Sequence, residues 1–484
     1  YLKDFESDAV LLNSSTSNVP MVREEKSNGL SRKDALPAID IDAFALSVTA
    51  HPLKAYKLLR RYVKDLPALE KELRLDEERK FLKLTEKVKT KVPFPTQRDM
   101  QGATEGILRA HDTYNMNIDD VRIDDKLLFD LATILTRAIQ WLERAYKLVV
   151  RESDDSISRK QVKDKLDEVV SQHNEALARR SKNPYLFTEP VKLHLSLEDN
   201  TQPRKRLLDT EHHVLLNKHS SMTDLTNFAA LCGGKQLRSN VETSRLNCWF
   251  EKKQPLNIIS PLKVEMLNRQ PSVLQFYDLL SEKTSGKIVE SARSTLGRSQ
   301  VYAKSHPDSK MISQSRTSTS TWLKDDRSSK LKEIMMVYRK IEAYTGLNII
   351  ENGASEDLQV SCYGIAGHFN PHLDTIFNSV ERKHLNKEEL HRGDRYATLM
   401  FYLTDVPRGG STAFSRTGVV ANPVKGSAIF WYNMNENGEP DPLALHGGCP
   451  ILYGNKCVSN KWIRFNSQSR HQCNFSQNRI PSPT

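Results

Sequence analysis

The sequence predicts an α+β chain of several domains, in which an all-helical N-terminal half precedes a β-rich C-terminal half. The first observation is length, because 484 residues at about 100–200 per domain suggest two to four domains. The second is a set of apolar residues at helical spacing between residues 44 and 182. The third is a series of short β-rich segments, separated by turn residues, that begins near residue 270.

The helical half contains one continuous apolar stripe and two weaker helical patterns. The stripe runs from Leu128 to Val149 in steps of three and four residues, the spacing of one helix face. Leucines from Leu66 to Leu73 indicate coiled-coil-like helices upstream, and a further helix carries Leu166 to Leu177. Two antiparallel helices of this length resemble one tetratricopeptide-type hairpin, and an ordinary helical bundle explains them equally well.

A polar stretch over residues 187–222 separates the two halves. It contains two prolines and the basic block Arg204–Arg206, a composition that indicates a linker. Cys232 and Cys248 follow this stretch, and a disulfide between them would close a short loop and restrict the unfolded chain.

Short segments of the second half predict the strands of a β-sandwich or barrel. They are rich in β-branched and aromatic residues, with turn residues such as Gly409–Gly410 and Gly454–Asn455 between them. The predicted strands are Leu358–Tyr363, Tyr396–Thr404, Ser427–Tyr432, Ile451–Tyr453 and Val458–Phe465. Helical segments are predicted around Val273–Leu280 and Leu331–Tyr344, with a Ser/Thr-rich loop over Ser313–Thr321.

Composition and charge exclude some functional classes and leave others open. No apolar run approaches the ~18–20 residues that a membrane-spanning helix needs. The net charge of +11 fits a nucleic-acid-binding protein or a chain with scattered basic residues, and the mixing of Lys/Arg with Asp/Glu favours the second. The six cysteines allow one to three disulfides in an oxidising compartment. Sequons at Asn13 and Asn474 would accept glycosylation in a secretory protein.

Potential metal ligands are found in the β-rich half. On a strand, His372 and Asp374 lie on one face, because side chains two residues apart point the same way. With a distant second histidine, His446, they would form the 2-His-1-carboxylate triad that binds Fe(II) and leaves coordination positions open. The pair His306 and Asp308 has the same spacing, but the intervening proline would break a strand.

Lys456 follows His446 by ten residues and begins another predicted strand, after the Gly454–Asn455 turn. A lysine at this position could bind the distal carboxylate of a dicarboxylate co-substrate as a point charge. A lone lysine is more often a solvated surface residue, so only its combination with the metal ligands indicates this role.

The stretch from about residue 356 to 473 resembles the catalytic domain of the collagen prolyl 4-hydroxylase alpha-subunit family. Members of that family are Fe(II)/2-oxoglutarate dioxygenases whose catalytic domain is a double-stranded β-helix, or jelly-roll. The resembling segments are Gln359–Gly364, Pro371–Asp374, Arg395–Tyr402, Gly409–Thr412, Ala428–Asn433 and the run from His446 through Cys449–Pro450, Gly454–Lys456 and Ser459–Trp462. Two further landmarks, His51–Pro52 and Asp112–Asn115, look like parts of the family's helical N-terminal region.

The resemblance implies a ligand set for the metal and the co-substrate. His372, Asp374 and His446 would bind Fe(II), and Lys456 would bind the 5-carboxylate of 2-oxoglutarate. Two further side chains would hydrogen-bond near that carboxylate: Tyr363 and Thr412.

The resemblance also implies catalytic residues and disulfides. Arg395 and Trp462 would line the substrate side of the site, although a surface ion pair for Arg395 and plain core packing for Trp462 and Tyr363 stay open. The implied disulfides are Cys232–Cys248 and Cys449–Cys473.

The same resemblance implies a division of the chain and a function. Residues 1–110 would form a helical dimerisation-type region, 111–190 a tetratricopeptide-like peptide-binding region, 191–265 a linker with the Cys232–Cys248 disulfide, and 266–484 the catalytic domain. The chain would be a procollagen-proline 4-dioxygenase alpha subunit that hydroxylates peptidyl proline at C4 and releases succinate and CO2. Its cofactors would be Fe(II), 2-oxoglutarate and L-ascorbate.

The implied partners are a proline-rich peptide or procollagen as substrate and a protein disulfide isomerase beta subunit. This chain and the protein disulfide isomerase subunit would form a heterotetramer in the endoplasmic reticulum lumen, with no membrane span and no bound nucleic acid.

Several positions depart from the family pattern and leave the substrate protein open. Phe369–Pro371 stands where the family has Tyr-Glu-Pro, and Cys457 stands where it usually has Trp. Cys362 and Cys457 lie outside the implied disulfides and could be buried thiols or a pair. Between residues 130 and 185 only Tyr146 and Tyr185 are available to hold a proline-rich chain. The alternatives are a 2-oxoglutarate dioxygenase for a non-collagen protein and a non-catalytic helical binding subunit.

Overall fold

A computed structural model gives the architecture of the chain. It describes residues 52–72, 83, 86–87, 89–90, 94–114, 135–148, 158–179, 187, 189–192, 221–299, 316–325, 331–364, 366–377, 385–435 and 438–468. The chain divides into two compact units, Tyr1–Ile107 and Leu108–Thr484. Within the described ranges, no helix is long and apolar enough to cross a membrane.

Helices make up the described part of the N-terminal region. They are α1 (Pro52–Arg60), the π-helical segment Arg61–Asp65, α2 (Leu66–Glu72) and α3 (Gln97–Thr113). Tyr62 and Leu66 are buried and pack against Leu58 and Phe94. The Tyr62 and Phe94 rings meet edge to face, with centroids 5.3 Å apart. The predicted coiled-coil character of these helices stays a prediction, and His51 lies outside the described residues.

Two further helices, α4 (Leu135–Leu148) and α5 (Arg159–Ala178), pack against one another. Ala138, Leu142 and Ala145 of α4, three or four residues apart, are fully buried, as the predicted apolar stripe requires over this part. Ser158 begins α5 with a capping box, in which its side chain accepts a hydrogen bond from the Gln161 backbone. Both predicted helices are confirmed where the structure describes them, whereas the tetratricopeptide assignment stays a prediction.

The remaining elements are helices and strands that follow residue 220. The helices are α6 (Ser221–Cys232), α7 (Asn240–Thr243), α8 (Pro255–Ile259), α9 (Glu282–Arg293), α10 (Ile334–Thr345) and α11 (Lys387–Arg392). The strands are β1 (Cys248–Glu251), β2 (Leu262–Asn268), β3 (Val273–Tyr277), β4 (Gly297–Arg298), β5 (Thr319–Leu323), β6 (Leu358–Tyr363), β7 (Phe369–His372), β8 (Arg395–Tyr402), β9 (Arg408–Gly409), β10 (Thr412–Phe414), β11 (Val419–Ala421), β12 (Ala428–Tyr432), β13 (His446–Gly448), β14 (Ile451–Tyr453) and β15 (Lys456–Arg464).

These strands form a large sheet, a smaller sheet and a two-stranded ribbon. The large sheet has the order β1-β2-β3-β12-β8-β15-β6-β5-β4, the smaller sheet has the order β11-β10-β13-β7, and β14 pairs with β9. All described strand pairs are antiparallel. A helical N-terminal region followed by this sheet-rich region agrees with the predicted fold class, and the sheet arrangement is consistent with a jelly-roll.

Both faces of the central strand β8 are buried, because its side chains alternate between two hydrophobic clusters. On β8, Leu399 and Phe401 join the cluster that includes residues of α9 and α10. Met400 and Tyr402 join the cluster that includes residues of the smaller sheet, such as Phe414. This second cluster lies beside the candidate site. Because neighbouring side chains on a strand point to opposite faces, every second residue of β8 points toward that site.

Five predicted strands are confirmed, but one predicted helix is wrong. Val273–Leu280 was expected to be helical, whereas Val273–Tyr277 forms β3 between β2 and β12. A short apolar run has no clear period, so pairing with neighbouring strands decides its structure. The helix predicted over Leu331–Tyr344 is confirmed as α10. Part of the predicted Ser313–Thr321 loop belongs to β5, which pairs with β6.

Residues 221–265, predicted to belong to the linker, form ordered elements of the second unit. Helix α6 contacts β7, β10 and β11, while β1 and β2 extend the large sheet. Arg416 binds Asp224 of α6 through two hydrogen bonds of 2.9 and 2.8 Å. The polar residues 193–220 of the predicted linker lie outside the described part of the chain.

The disulfides differ from the implied ones. Cys232 is bonded to Cys449, and Cys362 is bonded to Cys457. The implied Cys232–Cys248 and Cys449–Cys473 disulfides are therefore wrong, and Cys248 is an exposed thiol. The reason is that α6 packs on the smaller sheet and brings Cys232 to Cys449, although they are 217 residues apart. Cys473 and the sequon residues Asn13 and Asn474 lie outside the described residues.

Candidate metal centre

The three predicted metal ligands come together on neighbouring strands of the smaller sheet. His372 ends β7 and is the register partner of His446, which begins β13, while Asp374 follows β7 by two residues. Nε2 of His372 lies 3.6 Å from Oδ1 of Asp374, and Nε2 of His446 lies 3.9 Å from the same oxygen. One ligand atom from each residue lies within 4.8 Å of the others. The pairing of two distant strands therefore creates the triad.

Hydrogen bonds orient both imidazole rings toward the aspartate. Nδ1 of His372 donates to the carbonyl oxygen of Asn370 over 2.8 Å, and Nδ1 of His446 donates to that of Ala444 over 2.9 Å. Because a carbonyl oxygen can only accept, each neutral ring carries its proton on Nδ1 and keeps a lone pair on Nε2. Burial, and next the neighbouring His372, lower the pKa of His446 to about 4. His446 is thus neutral at pH 7, as metal binding requires.

The second carboxylate oxygen of Asp374 is held by the large sheet. It accepts hydrogen bonds from Nε1 of Trp462 over 2.9 Å and from Oγ1 of Thr398 over 2.7 Å. Asn433 in turn donates to Thr398 over 2.8 Å. Burial acts to raise the pKa of Asp374, but the neighbouring imidazoles of His446 and His372 and the Arg395 guanidinium outweigh it and hold the pKa well below its usual range. Oδ1 is left facing the two histidines.

Arg395 and Trp462 lie behind Asp374 as a stacked pair. The Arg395 guanidinium carbon is 3.5 Å from the centroid of the Trp462 ring, and both residues are buried. Arg395 also binds both carboxylate oxygens of Glu356, at 2.7 and 2.8 Å. These contacts give both residues a positioning role for Asp374. Their predicted contact with substrate stays a prediction.

Lys456 begins β15 on the large sheet and is 4% exposed. Within the described part of the chain, no hydrogen bond or ion pair to its ammonium group is found. The nitrogen lies 5.3 Å from the ring centroid of Tyr402 and 5.9 Å from that of Tyr363. Burial lowers the pKa of Lys456 to about 7, because removing an ammonium group from water disfavours its charge. A carboxylate ligand would relieve that cost.

Glycine at position 410 makes room for the Lys456 side chain. Gly410 has a φ of +72°, and a Cβ atom there would lie 3.4 Å from Cδ of Lys456 and 3.1 Å from Val406. Both the backbone conformation and the close approach therefore favour glycine.

Tyr363 and Thr412, the two side chains predicted to bind the co-substrate, lie in the neighbourhood of Lys456. Tyr363 ends β6 and is the register partner of Lys456. Thr412 begins β10, and its hydroxyl accepts a hydrogen bond from the Tyr402 hydroxyl over 2.9 Å. Both side chains are buried, but their hydrogen bonds to a co-substrate stay predictions. His306, the competing histidine, lies outside the described residues.

Sequence reasoning missed Arg316 and Thr398, and it did not predict the contact between Phe369 and His372. Phe369 stacks on His372 with ring centroids 3.6 Å apart, and the Arg316 guanidinium lies 4.8 Å from the centroid of Phe369. Arg316 was assigned to a loop, although it is buried and binds Ser361 over 2.7 Å. The sequence could have indicated Thr398, because a polar residue in the middle of an apolar strand is often hydrogen-bonded at a buried site.

Two protein families match this chain. The N-terminal region of the prolyl 4-hydroxylase alpha-subunit matches residues 15–123. The 2OG-Fe(II) oxygenase superfamily matches residues 358–464, which include all three metal ligands and Lys456.

Similar proteins extend over most of the chain. Prolyl 4-hydroxylase subunit alpha-2 of Caenorhabditis elegans is 28% identical over 86% of this chain and 81% of its own length. Prolyl 4-hydroxylase subunit alpha-1 of Gallus gallus is 28% identical over 88% of this chain and 87% of its own length. Among solved structures, the viral collagen prolyl hydroxylase of Paramecium Bursaria Chlorella virus-1 in its 2OG complex is 22% identical, with a TM-score of 0.31. That likeness covers 40% of this chain and 95% of the viral one.

Proposed function

The chain belongs to the prolyl 4-hydroxylase alpha-subunit family, and we propose that it hydroxylates C4 of peptidyl proline with O2 and 2-oxoglutarate. One observation carries the proposal. Two histidines and an aspartate meet, and Lys456, which is close enough to influence the pKa of His446, is buried without an anionic partner among the described residues. A metal and a dicarboxylate would fill these two positions together.

The donor set fits Fe(II). The ion would bind to Nε2 of His372, Nε2 of His446 and Oδ1 of Asp374. These atoms are available because Nδ1 of each histidine is hydrogen-bonded to a backbone carbonyl and the other Asp374 oxygen accepts a hydrogen bond from Trp462. When bound, Fe(II) supplies the redox chemistry that joins O2 to 2-oxoglutarate and to the proline C–H bond. The overall reaction converts peptidyl proline, 2-oxoglutarate and O2 to 4-hydroxyproline, succinate and CO2.

The protein contributes position, charge and exclusion of water. Lys456 would bind the 5-carboxylate of 2-oxoglutarate, with Tyr363 and Thr412 beside it. Arg395 and Trp462 keep Asp374 in one orientation, so the carboxylate needs no reorganisation when the ion binds. Phe369 covers one face of His372 and presents an apolar surface at the site.

Finer features of the function rest on the family alone. We infer that proline-rich peptides such as procollagen are the substrates and that L-ascorbate supports turnover. A protein disulfide isomerase subunit would be the partner, in the endoplasmic reticulum lumen, where the sequons would carry glycans. Residues 111–190 would bind peptide as a tetratricopeptide-like region, and residues 1–110 would serve dimerisation. The catalytic domain would occupy the C-terminal part of the chain.

Release of succinate from 2-oxoglutarate tests the proposed reaction. The full chain with Fe(II) should release succinate in step with hydroxyproline when a Pro-Pro-Gly peptide is added. His446→Ala should abolish turnover without changing the circular dichroism spectrum, whereas His391→Ala, which changes an exposed histidine, should retain activity. No turnover with any proline-containing peptide would reject the enzyme and favour a non-catalytic binding subunit.

A second candidate is a dioxygenase of the same chemistry that acts on a non-collagen protein. Phe369 favours it, because the family's tyrosine would offer a hydroxyl group to the substrate at this position and phenylalanine does not. Hydroxylation of non-collagen proline peptides only, with none of Pro-Pro-Gly, would support this alternative.

A further inference from the structure

The Cys362–Cys457 disulfide joins the two strands that carry the co-substrate pair. Cys457 on β15 is the register partner of Cys362 on β6, and the next pair along the ladder is Lys456 with Tyr363. The covalent link is thus one residue away from Lys456 on one strand and from Tyr363 on the other. Nothing in the proposed reaction uses this disulfide directly.

The disulfide lies on the opposite face of the sheet from the co-substrate position. Tyr363 belongs to the hydrophobic cluster beside the metal ligands. Cys457 belongs to the other cluster, against which Cys362 packs while partly exposed. Because successive side chains of a strand point to opposite faces, the sulfur atoms do not face a ligand of Lys456. An influence of the disulfide on that ligand would therefore act through the backbone.

The first residues of β15 are paired with fewer neighbouring strands than its centre. The strand follows Gly454, whose φ is +94°, and its ladder with β8 starts only at Val458. Cys457 makes two further contacts: its carbonyl accepts from the Leu403 N–H, and its N–H donates to the Thr404 hydroxyl, each at 2.9 Å. Strand ends open more readily than strand centres.

Before a ligand binds, the buried position of the Lys456 ammonium group is electrostatically unfavourable. This group is buried, and among the described residues no carboxylate pairs with it. A buried, unpaired charge favours any movement that returns it to water. A covalent link at the neighbouring pair opposes such a movement of the strand end.

We propose that the Cys362–Cys457 disulfide holds Lys456 in position for the distal carboxylate of 2-oxoglutarate, so that co-substrate affinity depends on this bond being intact. The inference rests on the proposed function of the same site. It makes co-substrate binding sensitive to a dithiol reductant. Such a reagent transfers two electrons and two protons to the disulfide, which becomes two thiols, while the reagent closes to its own cyclic disulfide.

The test measures 2-oxoglutarate binding to the Mn(II)-loaded full chain by calorimetry. In Cys362→Ala/Cys457→Ala the Kd should rise about 3–30-fold, the range usual for residues that act through another residue. Dithiothreitol should raise the Kd of the wild type by the same factor and leave the double variant unchanged. Cys248→Ala, which removes the exposed thiol of β1, is the matched control and should behave as the wild type.

A positioning role makes further demands on the result. In turnover, KM for 2-oxoglutarate should rise while kcat and the Mn(II) affinity stay constant. Equal Kd values within twofold, or a parallel loss of Mn(II) affinity, would overturn the inference. Because dithiothreitol also reduces Cys232–Cys449, the same arm is run on Cys232→Ala/Cys449→Ala, whose one remaining described disulfide is Cys362–Cys457. A rise of the Kd in that variant decides the matter even if Cys362→Ala/Cys457→Ala does not fold.

The same measurements separate the inference from the proposed function. Absence of succinate release with proline peptides rejects the function, whereas a disulfide-independent Kd rejects the inference. A wild-type chain that does not bind 2-oxoglutarate would overturn both.

Discussion

At the scale of single residues, burial decides what each polar side chain of the site can do. Asp374 is buried, and each of its carboxylate oxygens has its own neighbours. Oδ2 accepts hydrogen bonds from Trp462 and Thr398, and Oδ1 faces the two histidines. Lys456 is buried without a described anionic partner. The first residue is thus ready to complete a metal site, and the second is ready to receive an anion.

The lowered pKa of Lys456 predicts that 2-oxoglutarate binding takes up a proton. Burial moves the pKa from 10.5 to about 7, so above neutral pH the free protein holds this lysine uncharged, and a carboxylate ligand restores the charge. Calorimetry of the metal-loaded chain in buffers of different ionisation enthalpy should show uptake approaching one proton at about pH 8.5 and little at about pH 6. Equal uptake at both pH values would contradict the assignment.

The same shift contributes to the stability of the protein. Between about pH 7 and 10.5 the unfolded chain binds more protons at this lysine than the folded chain does. The free energy of unfolding therefore rises with pH across that window, and below it the full cost of burying the charged lysine is present.

Trp462→Phe should weaken iron binding while leaving the chemistry intact. The change removes the 2.9 Å hydrogen bond to Asp374, and loss of such a supporting contact usually costs about 10–100-fold in metal affinity. Turnover should return when Fe(II) is in excess. Trp322→Phe is the matched control, because that indole is 47% exposed and meets the Trp462 ring without donating to Asp374. An iron titration curve equal to the wild type would contradict the positioning role.

At the scale of elements, helix α6 belongs with the sheets. Phe228 and Leu231 are buried with Ala413, and a Cβ on Gly447 would lie 2.7 Å from the Phe228 ring. The disulfide to Cys449 ties the end of the helix to the loop that follows β13. The metal-bearing sheet thus has a helix fixed on its outer face.

A fragment that begins at residue 266 should be much less stable than one that begins at residue 221. The shorter fragment lacks α6 and β1. It therefore exposes the surface of the smaller sheet that Phe228 and Leu231 of α6 cover. Burying one such side chain contributes about 1.5–3 kcal/mol to the free energy of unfolding. The shorter fragment also lacks the partners of Arg416 and Cys449. Guanidinium unfolding followed by circular dichroism should show a cooperative transition only for the longer fragment. Equal midpoints would contradict this boundary.

At the scale of the whole molecule, the helical region proposed to bind peptide contains few tyrosines. In α4 and α5, the one described tyrosine, Tyr146, already faces Arg159, whose guanidinium carbon is 4.5 Å from the ring centroid. A region with few available aromatic rings offers little surface for a long proline-rich chain.

The chain should therefore discriminate weakly between short and long Pro-Pro-Gly peptides. KM values for a short-repeat and a long-repeat peptide, expressed per repeat, should agree within a few-fold. A strong fall of KM with length would show that the helical region binds long peptides in spite of its composition.

The sequence by itself predicted the three metal ligands, Lys456 and five of the fifteen described strands. Strand periodicity predicts His372 and Asp374 on one face, and the two side chains do meet, although Asp374 lies two residues beyond the end of β7. Lys456 stands at the start of a predicted strand after a glycine turn. These features can be predicted because they depend on a short stretch of sequence or on a recognisable motif. The helix expected at Val273–Leu280 was wrong, because a short apolar run takes the structure of its neighbours.

Only the tertiary structure decided which distant residues meet. The pairing of β7 with β13 brings His446 to His372, and the packing of α6 brings Cys232 to Cys449 in place of the nearer Cys248. Phe369, Thr398 and the Arg395–Trp462 stack became visible in the same way. The physical reason is that pairing and packing depend on surfaces formed by the whole fold, whereas periodicity and turn residues are properties of a short stretch of chain.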